Sequence, residues 1–186
     1  MNGQQKISAM VKSLSNLLRG AIRNKEIVIT IREEINLLKD YITIQKIRYG
    51  ERLDFSMEAD EEILDCSILK LTLQPIVENS ITHGLENLTG PCKISVTAKR
   101  IQDLIRIEVT DNGPGISEDI LTKLRNMEIE SKGFGIGLSN IDKRTKLIFG
   151  EKYGLVFESE LRKGTTVGIE LPVVENMRVS PDTISL

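Results

Sequence analysis

The sequence predicts an α+β fold in which a two-layer α/β sandwich follows two helices. The first 49 residues show only the spacing of amphipathic helices, whereas strand and helix patterns mix from Gly50 onward. The strand patterns come largely in neighbouring pairs, which favours hairpins over the strict alternation of a doubly wound sheet. We therefore expect a helical segment at 1–49, an α/β domain at 50–173 and a frayed tail at 174–186.

Composition excludes several classes of protein. The 186 residues are 40% hydrophobic and 28% charged, as in a soluble globular protein with a core, and a net charge of −2 gives no reason to expect nucleic acid as a partner. The two cysteines, Cys66 and Cys92, form neither a metal-type pair nor a secreted disulfide scaffold, so we expect a reducing compartment. No run of about 18 apolar residues and no signal-peptide core is found, although a longer parent protein could still be membrane-anchored.

Two amphipathic helices open the chain. The first, over 4–23, has apolar residues at helical spacing, namely Ile7, Met10, Val11, Leu14, Leu17, Leu18, Ala21 and Ile22. Thr30 followed by Glu33 is the signature of a capping box, which starts a second helix that runs to about Tyr49. These helices either pack within one subunit or form a homodimer through residues 4–48, and spacing alone leaves both possibilities open.

The remaining elements follow from alternation and turn residues. Strands are expected at 52–58, 93–99, 104–110, 155–160 and 165–171, and helices at 68–85 and 137–149, the latter ended by Gly150. Pro75 should kink or restart the helix at 68–85 because proline lacks an amide donor. Residues 116–132 are expected to be a mobile lid with few apolar anchors and a short helical piece around 120–124.

Three polar or glycine-rich motifs are candidates for a common site. Asn79 and His83 are four residues apart, so one helix face presents both, and the Asn79 amide oxygen suits Mg²⁺, with Glu78 in possible support. Asp111, Gly113 and Gly115 belong to a strand-end motif in which a carboxylate could accept a hydrogen bond from an exocyclic amine, although the motif also satisfies an ordinary turn.

The third motif is a glycine cluster ahead of a helix. Gly133, Gly135 and Gly137 could present bare backbone N–H groups to phosphate oxygens at a helix N-terminus. The spacing matches neither the dinucleotide fingerprint nor the Walker loop, so the cluster is weak evidence by itself. Asn140 and Arg144 follow on one face of this helix and are expected near the nucleotide or at the helix surface.

Together and in this order, the motifs resemble the nucleotide-binding boxes of the GHKL ATP-binding fold. Lys163-Gly-Thr-Thr-Val167 resembles its fourth, Gly-Thr element. The resemblance implies that Asn79 holds Mg²⁺, that Asp111 and Thr165 contact adenine, and that the three glycines of the cluster line the phosphates. It also implies nucleotide contacts from His83, Gly113, Gly115 and Leu138, so the expected cofactors are ATP and Mg²⁺.

Within that superfamily the sequences of the motifs are most similar to those of LytS-type sensor histidine kinases. The matching stretches are Leu73-Gln-Pro-Ile-Val-Glu-Asn79, Gly137-Leu-Ser-Asn-Ile141 with Arg144, and Tyr41-Ile-Thr-Ile-Gln-Lys-Ile-Arg48. The chain departs from the family at Thr82, where a basic residue is usual, and in lacking the phosphoacceptor histidine that belongs upstream of the first helix. We therefore expect a cytoplasmic fragment of a bacterial membrane sensor that begins after the acceptor.

This resemblance implies transfer of the ATP γ-phosphate to a histidine outside the fragment, and then to an aspartate on the receiver domain of a response regulator. Three alternatives stay open. One is an ATPase or clamp of the same superfamily, in which a general base precedes the metal-binding asparagine by four residues, where this chain has Pro75. The others are a serine kinase and a dimerisation module with a vestigial nucleotide site.

Overall fold

The computed structural model describes residues 3–23, 26–126, 136–177 and 179. The elements, in chain order, are α1 (Gly3–Arg23), β1 (Val28–Thr30), α2 (Ile31–Tyr49), β2 (Leu53–Ala59), β3 (Ser67–Leu69), α3 (Leu73–Asn87), β4 (Cys92–Ile101), β5 (Leu104–Asp111), α4 (Glu118–Arg125), α5 (Ile136–Phe149), β6 (Gly154–Glu160) and β7 (Gly164–Pro172). None of the helices within these ranges combines the length and apolar character needed to cross a membrane.

A five-stranded sheet in the order β2-β4-β5-β7-β6 forms one layer of the sandwich. β2 pairs with β4 in parallel, and the other three pairings are antiparallel. Alternate side chains along the two central strands are buried, namely Ile94, Val96 and Ala98 on β4 and Ile105, Ile107 and Val109 on β5. Helices α3 and α5 pack on the sheet as the second layer. The predicted α+β sandwich is therefore confirmed.

The capping box at the start of α2 forms as the sequence predicts. The Thr30 hydroxyl accepts a hydrogen bond from the Glu33 backbone N–H at 3.2 Å, and the Glu33 carboxylate accepts one from the Thr30 N–H at 2.9 Å. α1 packs along α2, and Asn16 Nδ2 donates to Asp40 Oδ1 at 3.2 Å between them. The two leading helices are thus a packed pair.

The short strands β1 and β3 were not predicted. They pair antiparallel, with Ile29 opposite Ile68, and each has only three residues, which is too short for alternation to be read. The predicted helix at 68–85 consequently begins later, at Leu73. The expected kink at Pro75 is wrong, because proline in the first helical turn removes no intrahelical hydrogen bond and α3 continues unbroken to Asn87.

Two segments expected to be loose are anchored where the structure describes them. In the first half of the expected lid, Leu121 and Leu124 of α4 are buried and the Arg125 guanidinium donates to the Phe157 carbonyl at 3.2 and 3.3 Å, so apolar anchors are not scarce there. Beyond β7, the Ser67 N–H donates to the Val174 carbonyl at 2.7 Å. The start of the expected frayed tail is therefore hydrogen-bonded to β3, while residues 127–132 of the expected lid lie outside the described residues.

Candidate functional site

A cavity of about 420 Å³ opens between α3, the end of β5, the start of β7 and the start of α5. Its polar lining is Asn79, Ser80, His83, Asp111, Ser117 and Thr165, and its apolar lining includes Ile116, Ile120, Leu138, Leu161 and Val167. Two of the apolar residues, Ile120 and Leu161, are large hydrophobic side chains that remain 46% and 59% exposed. A mainly apolar pocket with a few convergent polar groups is the usual form of a small-molecule site.

One side of the cavity is built around Asp111, the last residue of β5, and we call it the carboxylate wall: Ser80, Asp111 and Thr165. Asp111 Oδ1 accepts hydrogen bonds from the Gly113 N–H at 2.8 Å and the Thr165 N–H at 3.3 Å, and the Ser80 hydroxyl donates to the same carboxylate. Strand pairing places Thr165 directly opposite Asp111. Because a carboxylate has about four lone-pair positions, it keeps acceptor capacity for a donor in the cavity.

Burial is the largest influence on the ionisation of this group. It raises the pKa of Asp111 above its usual range, while the hydrogen bonds from Gly113, Ser80 and Thr165 and the charge of His83 act in the lowering direction. A carboxylate held in this way is a directional acceptor in a partly desolvated pocket, where a hydrogen bond is worth more than in water.

Glycines let the backbone close tightly around the carboxylate wall. Gly115 has φ +70°, and a Cβ there would overlap the Glu160 carbonyl. Gly164 has φ +118°, and its Cβ would overlap the Asp111 carbonyl. Both positions therefore exclude side chains on conformational and steric grounds. Gly113, by contrast, contributes its N–H to Asp111 and does not line the cavity, although the sequence predicts it as a nucleotide contact.

The other side of the cavity is the helix wall, which we define as Asn79, His83 and Leu138. α3 turns Asn79 and His83 to the cavity together, as their spacing of four predicts. Glu78 is exposed and outside the lining. Burial, and second to it the charge of Glu78, raises the pKa of Tyr41 to about 12, so Glu78 lies on the side of α3 that faces α2.

The described residues include no cluster of three His, Cys, Asp or Glu side chains that could hold a metal ion. A cation beside Asn79 would therefore draw most of its ligands from water and from a bound anion. Mg²⁺ commonly binds in this way at phosphate sites. The donor set is compatible with a metal that arrives with its nucleotide.

The glycine cluster is only partly visible. Gly133 and Gly135 lie outside the described residues, whereas Gly137 is the second residue of α5 and Leu138, 1% exposed, lines the cavity. Asn140 and Arg144 are not in the described lining. At 100° per residue Asn140 and Arg144 lie about 160° and 120° around α5 from Leu138, so the expectation that they face the nucleotide gains no support from this geometry.

Two residues that support the site, Ser80 and Ser159, were not predicted from the sequence. Ser80 carries no signal beyond its place beside Asn79. Ser159 lies outside the motifs, but its hydroxyl accepts from the Ile116 N–H at 2.8 Å, donates to the Gly164 carbonyl at 2.8 Å and contacts Thr165 Oγ1 at 3.0 Å. It joins the loop after Asp111 to β7. Only the pairing of β6 with β7, which sets Ser159 opposite Thr165, reveals this role.

An α/β sandwich whose strand-end carboxylate faces an apolar cavity, with an asparagine-bearing helix opposite, is the architecture of a GHKL-type ATP-binding domain. Comparison with known families agrees. The family described as histidine kinase-, DNA gyrase B-, and HSP90-like ATPase matches residues 65–175, and the histidine kinase family matches residues 1–53. The chain belongs to this ATPase family and, within it, to the LytS-type sensor histidine kinases.

Individual relatives with similar sequences are also sensor histidine kinases. The chain is 46% identical over 171 residues to sensor histidine kinase YesM of Bacillus subtilis strain 168, covering 92% of this chain and 28% of YesM. It is 30% identical over 156 residues to sensor protein LytS of Bacillus cereus, covering 83% of this chain and 26% of LytS. The chain thus spans little more than a quarter of the length of these curated relatives.

Solved structures share the fold. The catalytic domain of histidine kinase ThkA superposes with a TM-score of 0.61 at 23% identity, covering 81% of this chain and 99% of that one. Histidine kinase ThkA in complex with the response regulator protein TrrA gives a TM-score of 0.55 at 21% identity, covering 90% of this chain and 49% of that one.

Proposed function

We propose that this chain is the catalytic part of a two-component sensor histidine kinase that binds ATP with Mg²⁺ in the cavity described above. The γ-phosphate would pass to a histidine outside this chain and then to an aspartate on a response regulator receiver domain, while the parent protein would be a membrane sensor. The observation that carries this proposal is the carboxylate wall. Its fixed, half-buried acceptor at a strand end, beside apolar residues, suits the amino edge and flat faces of adenine.

Each part of the cavity has a place in this proposal. The Asp111 carboxylate would accept from the adenine amine, with the Thr165 hydroxyl and Gly115 beside the ring. Asn79 would hold Mg²⁺, and the metal, when bound, neutralises phosphate charge. His83, Leu138 and the glycines Gly133, Gly135 and Gly137 would line the triphosphate, where bare backbone N–H groups suit phosphate oxygens.

The sole histidine of the chain, His83, lies in the cavity wall on α3. A phosphoacceptor must approach the γ-phosphate in line, which a residue of the binding wall itself is not free to do. We therefore expect the isolated chain to bind ATP without phosphorylating itself. Acid-labile radiolabel on the chain after incubation with γ-labelled ATP would contradict this expectation.

The ATPase alternative is less well supported. A general base for water would be expected four residues before Asn79, on the same face of α3, and that residue is Pro75. Glu78 carries a carboxylate but lies outside the cavity lining. Slow hydrolysis at most is expected, so rapid multiple turnover of ATP by the chain would favour a clamp-type ATPase.

Calorimetry with ATP and Mg²⁺ tests the proposal directly. Asp111→Asn should weaken ATP binding by about 100-fold, because an amide replaces a charged acceptor and turns an N–H₂ group towards existing donors. Asp103→Asn, in the exposed β4–β5 turn, should bind like the parent chain. Absence of ATP binding by the parent chain would support a vestigial site instead, and equal affinity of the two variants would remove Asp111 from the adenine contact.

We further propose a homodimer through the leading helices. Ile7, Val11, Leu14 and Leu18 on α1 are 67%, 59%, 49% and 53% exposed, and their spacing of four, three and four residues is that of a helix-bundle seam. A second copy of α1 would cover this stripe. Leu14→Glu should therefore shift the chain from dimer to monomer in sedimentation equilibrium, whereas Leu147→Glu, at an equally exposed leucine on α5, should not. A parent chain that is monomeric at high concentration would refute the dimer.

A further inference from the structure

Glu34 on α2 is a buried carboxylate with no part in the site described so far. Its side chain is only 1% exposed, and it reaches across to the chain that leads into α3. Oε1 accepts hydrogen bonds from the Thr72 N–H at 2.8 Å and the Leu73 N–H at 2.9 Å, and Oε2 accepts one from the Leu71 N–H at 3.0 Å. One side chain therefore satisfies three consecutive backbone donors of another element.

The start of α3 depends on this borrowed carboxylate. The residue at the N-cap position, Thr72, makes no side-chain cap, because its hydroxyl donates back to the Leu69 carbonyl at 2.7 Å. Leu71, just before it, has φ +60°, a conformation that costs a non-glycine residue about 1–3 kcal/mol. The first N–H groups of a helix need an acceptor, and the helix dipole favours a negative charge there. Glu34 supplies both.

Burial of the Glu34 carboxylate and its hydrogen bonds have opposite effects on its pKa, and the hydrogen bonds contribute to stability. Burial raises the pKa of Glu34, and the N–H groups of Leu73, Leu71 and Thr72 oppose that rise, followed by the charge of Lys70. Removing the carboxylate would leave several buried or half-buried N–H groups without this acceptor, which costs more than an ordinary hydrogen bond is worth.

The capped end of α3 is close to the cavity. Asn79 follows Leu73 by six residues, about 9 Å along the helix axis, and His83 follows one further turn on. A helix moves as a rigid rod over so short a distance, so the position of Leu73 and the hydrogen bond from Ser80 to Asp111 together set the position of Asn79. The sheet does not hold Asn79 by strand pairing, as it holds Asp111.

We propose that Glu34 is a positioning residue that couples the helical segment to the ATP site by fixing the start of α3, and thereby Asn79, from α2. This inference rests on the proposed function, since it assigns Asn79 to the metal end of the nucleotide. It predicts that a change at Glu34 impairs the Mg²⁺-dependent part of ATP binding and spares the adenine part, which the sheet holds.

The test is calorimetry of the full chain with ATP, once in Mg²⁺ and once in chelator. Glu34→Ala should lower the affinity for Mg²⁺-ATP by about tenfold, as the loss of residues supporting a metal ligand commonly does. The affinity for ATP in chelator should change by less than about twofold. Glu34→Gln keeps the length of the side chain and one acceptor oxygen, so it should show a smaller loss of the same kind.

Leu38→Ala is the matched control. Leu38 lies one turn further along α2 and is 1% exposed, so its truncation removes apolar packing but none of the hydrogen bonds that Glu34 accepts at the start of α3. It should lower the melting temperature and leave the ratio of the two ATP affinities unchanged. A general loss of stability cannot therefore imitate the effect expected at Glu34.

The outcomes separate the two proposals. A parent chain that binds ATP more tightly with Mg²⁺, together with a Glu34→Ala variant that keeps this advantage in full, would overturn the role of Glu34 alone. A parent chain that binds no ATP would overturn the proposed function and the coupling with it. Should Glu34→Ala fail to fold, Glu34→Gln decides, because full retention of the Mg²⁺ advantage in that variant overturns the coupling.

Discussion

The two walls of the cavity are held in place by different means. The carboxylate wall belongs largely to the sheet: Asp111 ends β5, Thr165 is paired with it in the ladder, and Ser159 bonds the adjoining loop. The helix wall is carried on α3 and α5, which lie on the sheet through side-chain packing. α3 is tied by the buried carboxylate of Glu34 at its start and by the hydrogen bond from Ser80 to Asp111, and α5 is tied by the buried carboxylate of Asp142 in its middle.

The two walls therefore differ in how precisely their side chains are positioned and in how far they can move. A ladder of backbone hydrogen bonds fixes a strand residue in register, and changing that register would turn every side chain to the other face. A helix packed on a sheet can shift by small amounts at low cost, unless a specific contact prevents it. We therefore expect the carboxylate wall to be rigid and intolerant of substitution. The helix wall should be adjustable, with its adjustment governed from α2.

The largest expected effect on stability comes from adding a methyl group at a glycine next to each wall, Gly115 beside the carboxylate wall and Gly137 beside the helix wall. Gly115→Ala should lower the free energy of unfolding by about 3 kcal/mol, because the backbone has φ +70° and the new Cβ meets the Glu160 carbonyl. Gly137→Ala, at the second residue of α5, meets no described atom within 4 Å and replaces a helical glycine, so it should leave that free energy unchanged or raise it by up to about 1 kcal/mol. Urea unfolding measures both, and equal effects would show that the walls do not differ in tolerance.

The next effect isolates the helix wall. On the proposed function, Asn79→Ala should weaken binding of ATP in Mg²⁺ by about 100-fold, since it would remove the oxygen ligand proposed for the metal. Binding in chelator should change little because the carboxylate wall is intact. Thr82→Ala, at an exposed position of α3, is the matched control and should bind like the parent chain. A similar loss with and without Mg²⁺ would place Asn79 outside the metal site.

The smallest expected effect is a pH dependence of ATP affinity that arises from Asp111 in the carboxylate wall. Because burial raises the pKa of Asp111, the acceptor becomes protonated at a higher pH than an ordinary aspartate. ATP affinity should hold at neutral pH and fall to about a tenth of that value by one pH unit below the raised pKa. Calorimetry across this range, with Asp111→Asn as the control that shows no such decline, measures it.

The contribution of Asp111 to folding stability should change with pH in the opposite direction to ATP affinity. Without nucleotide, the folded chain holds the Asp111 proton more tightly than the unfolded chain does. The contribution of Asp111 to stability is therefore greatest below the unfolded pKa and declines as pH rises through the folded pKa. The difference in unfolding free energy between the parent chain and Asp111→Asn should follow this course. A parent chain that gains stability relative to Asp111→Asn as pH rises would contradict it.

Much of the fold and part of the site could be predicted from local pattern. The capping box at Thr30, the end of α5 at Gly150 and the shared face of Asn79 and His83 depend on residues within four positions of one another, so the sequence displays them directly. The strands β1 and β3 could not be found, because three residues do not establish an alternation. The kink predicted at Pro75 was wrong because proline disrupts a helix only beyond its first turn. Tertiary contacts place the start of α3 just before Pro75, and the sequence does not show those contacts.

The sequence by itself determined most of the elements, their order and the chemical types at the cavity, because hydrophobic periodicity, turn residues and motif spacing are local properties of the chain. Tertiary structure alone decided that Asp111 meets Thr165, that Ser80 and Ser159 support that wall, and that Glu34 caps α3. These contacts join residues 31 to 54 positions apart, apart from Ser159 and Thr165, which strand pairing brings together. Their geometry follows from sheet register and helix packing. Glu34 lies on the apolar face of α2, between Ile31 and Leu38, and a charged residue among apolar ones at helical spacing is the only indication of its role that the sequence contains.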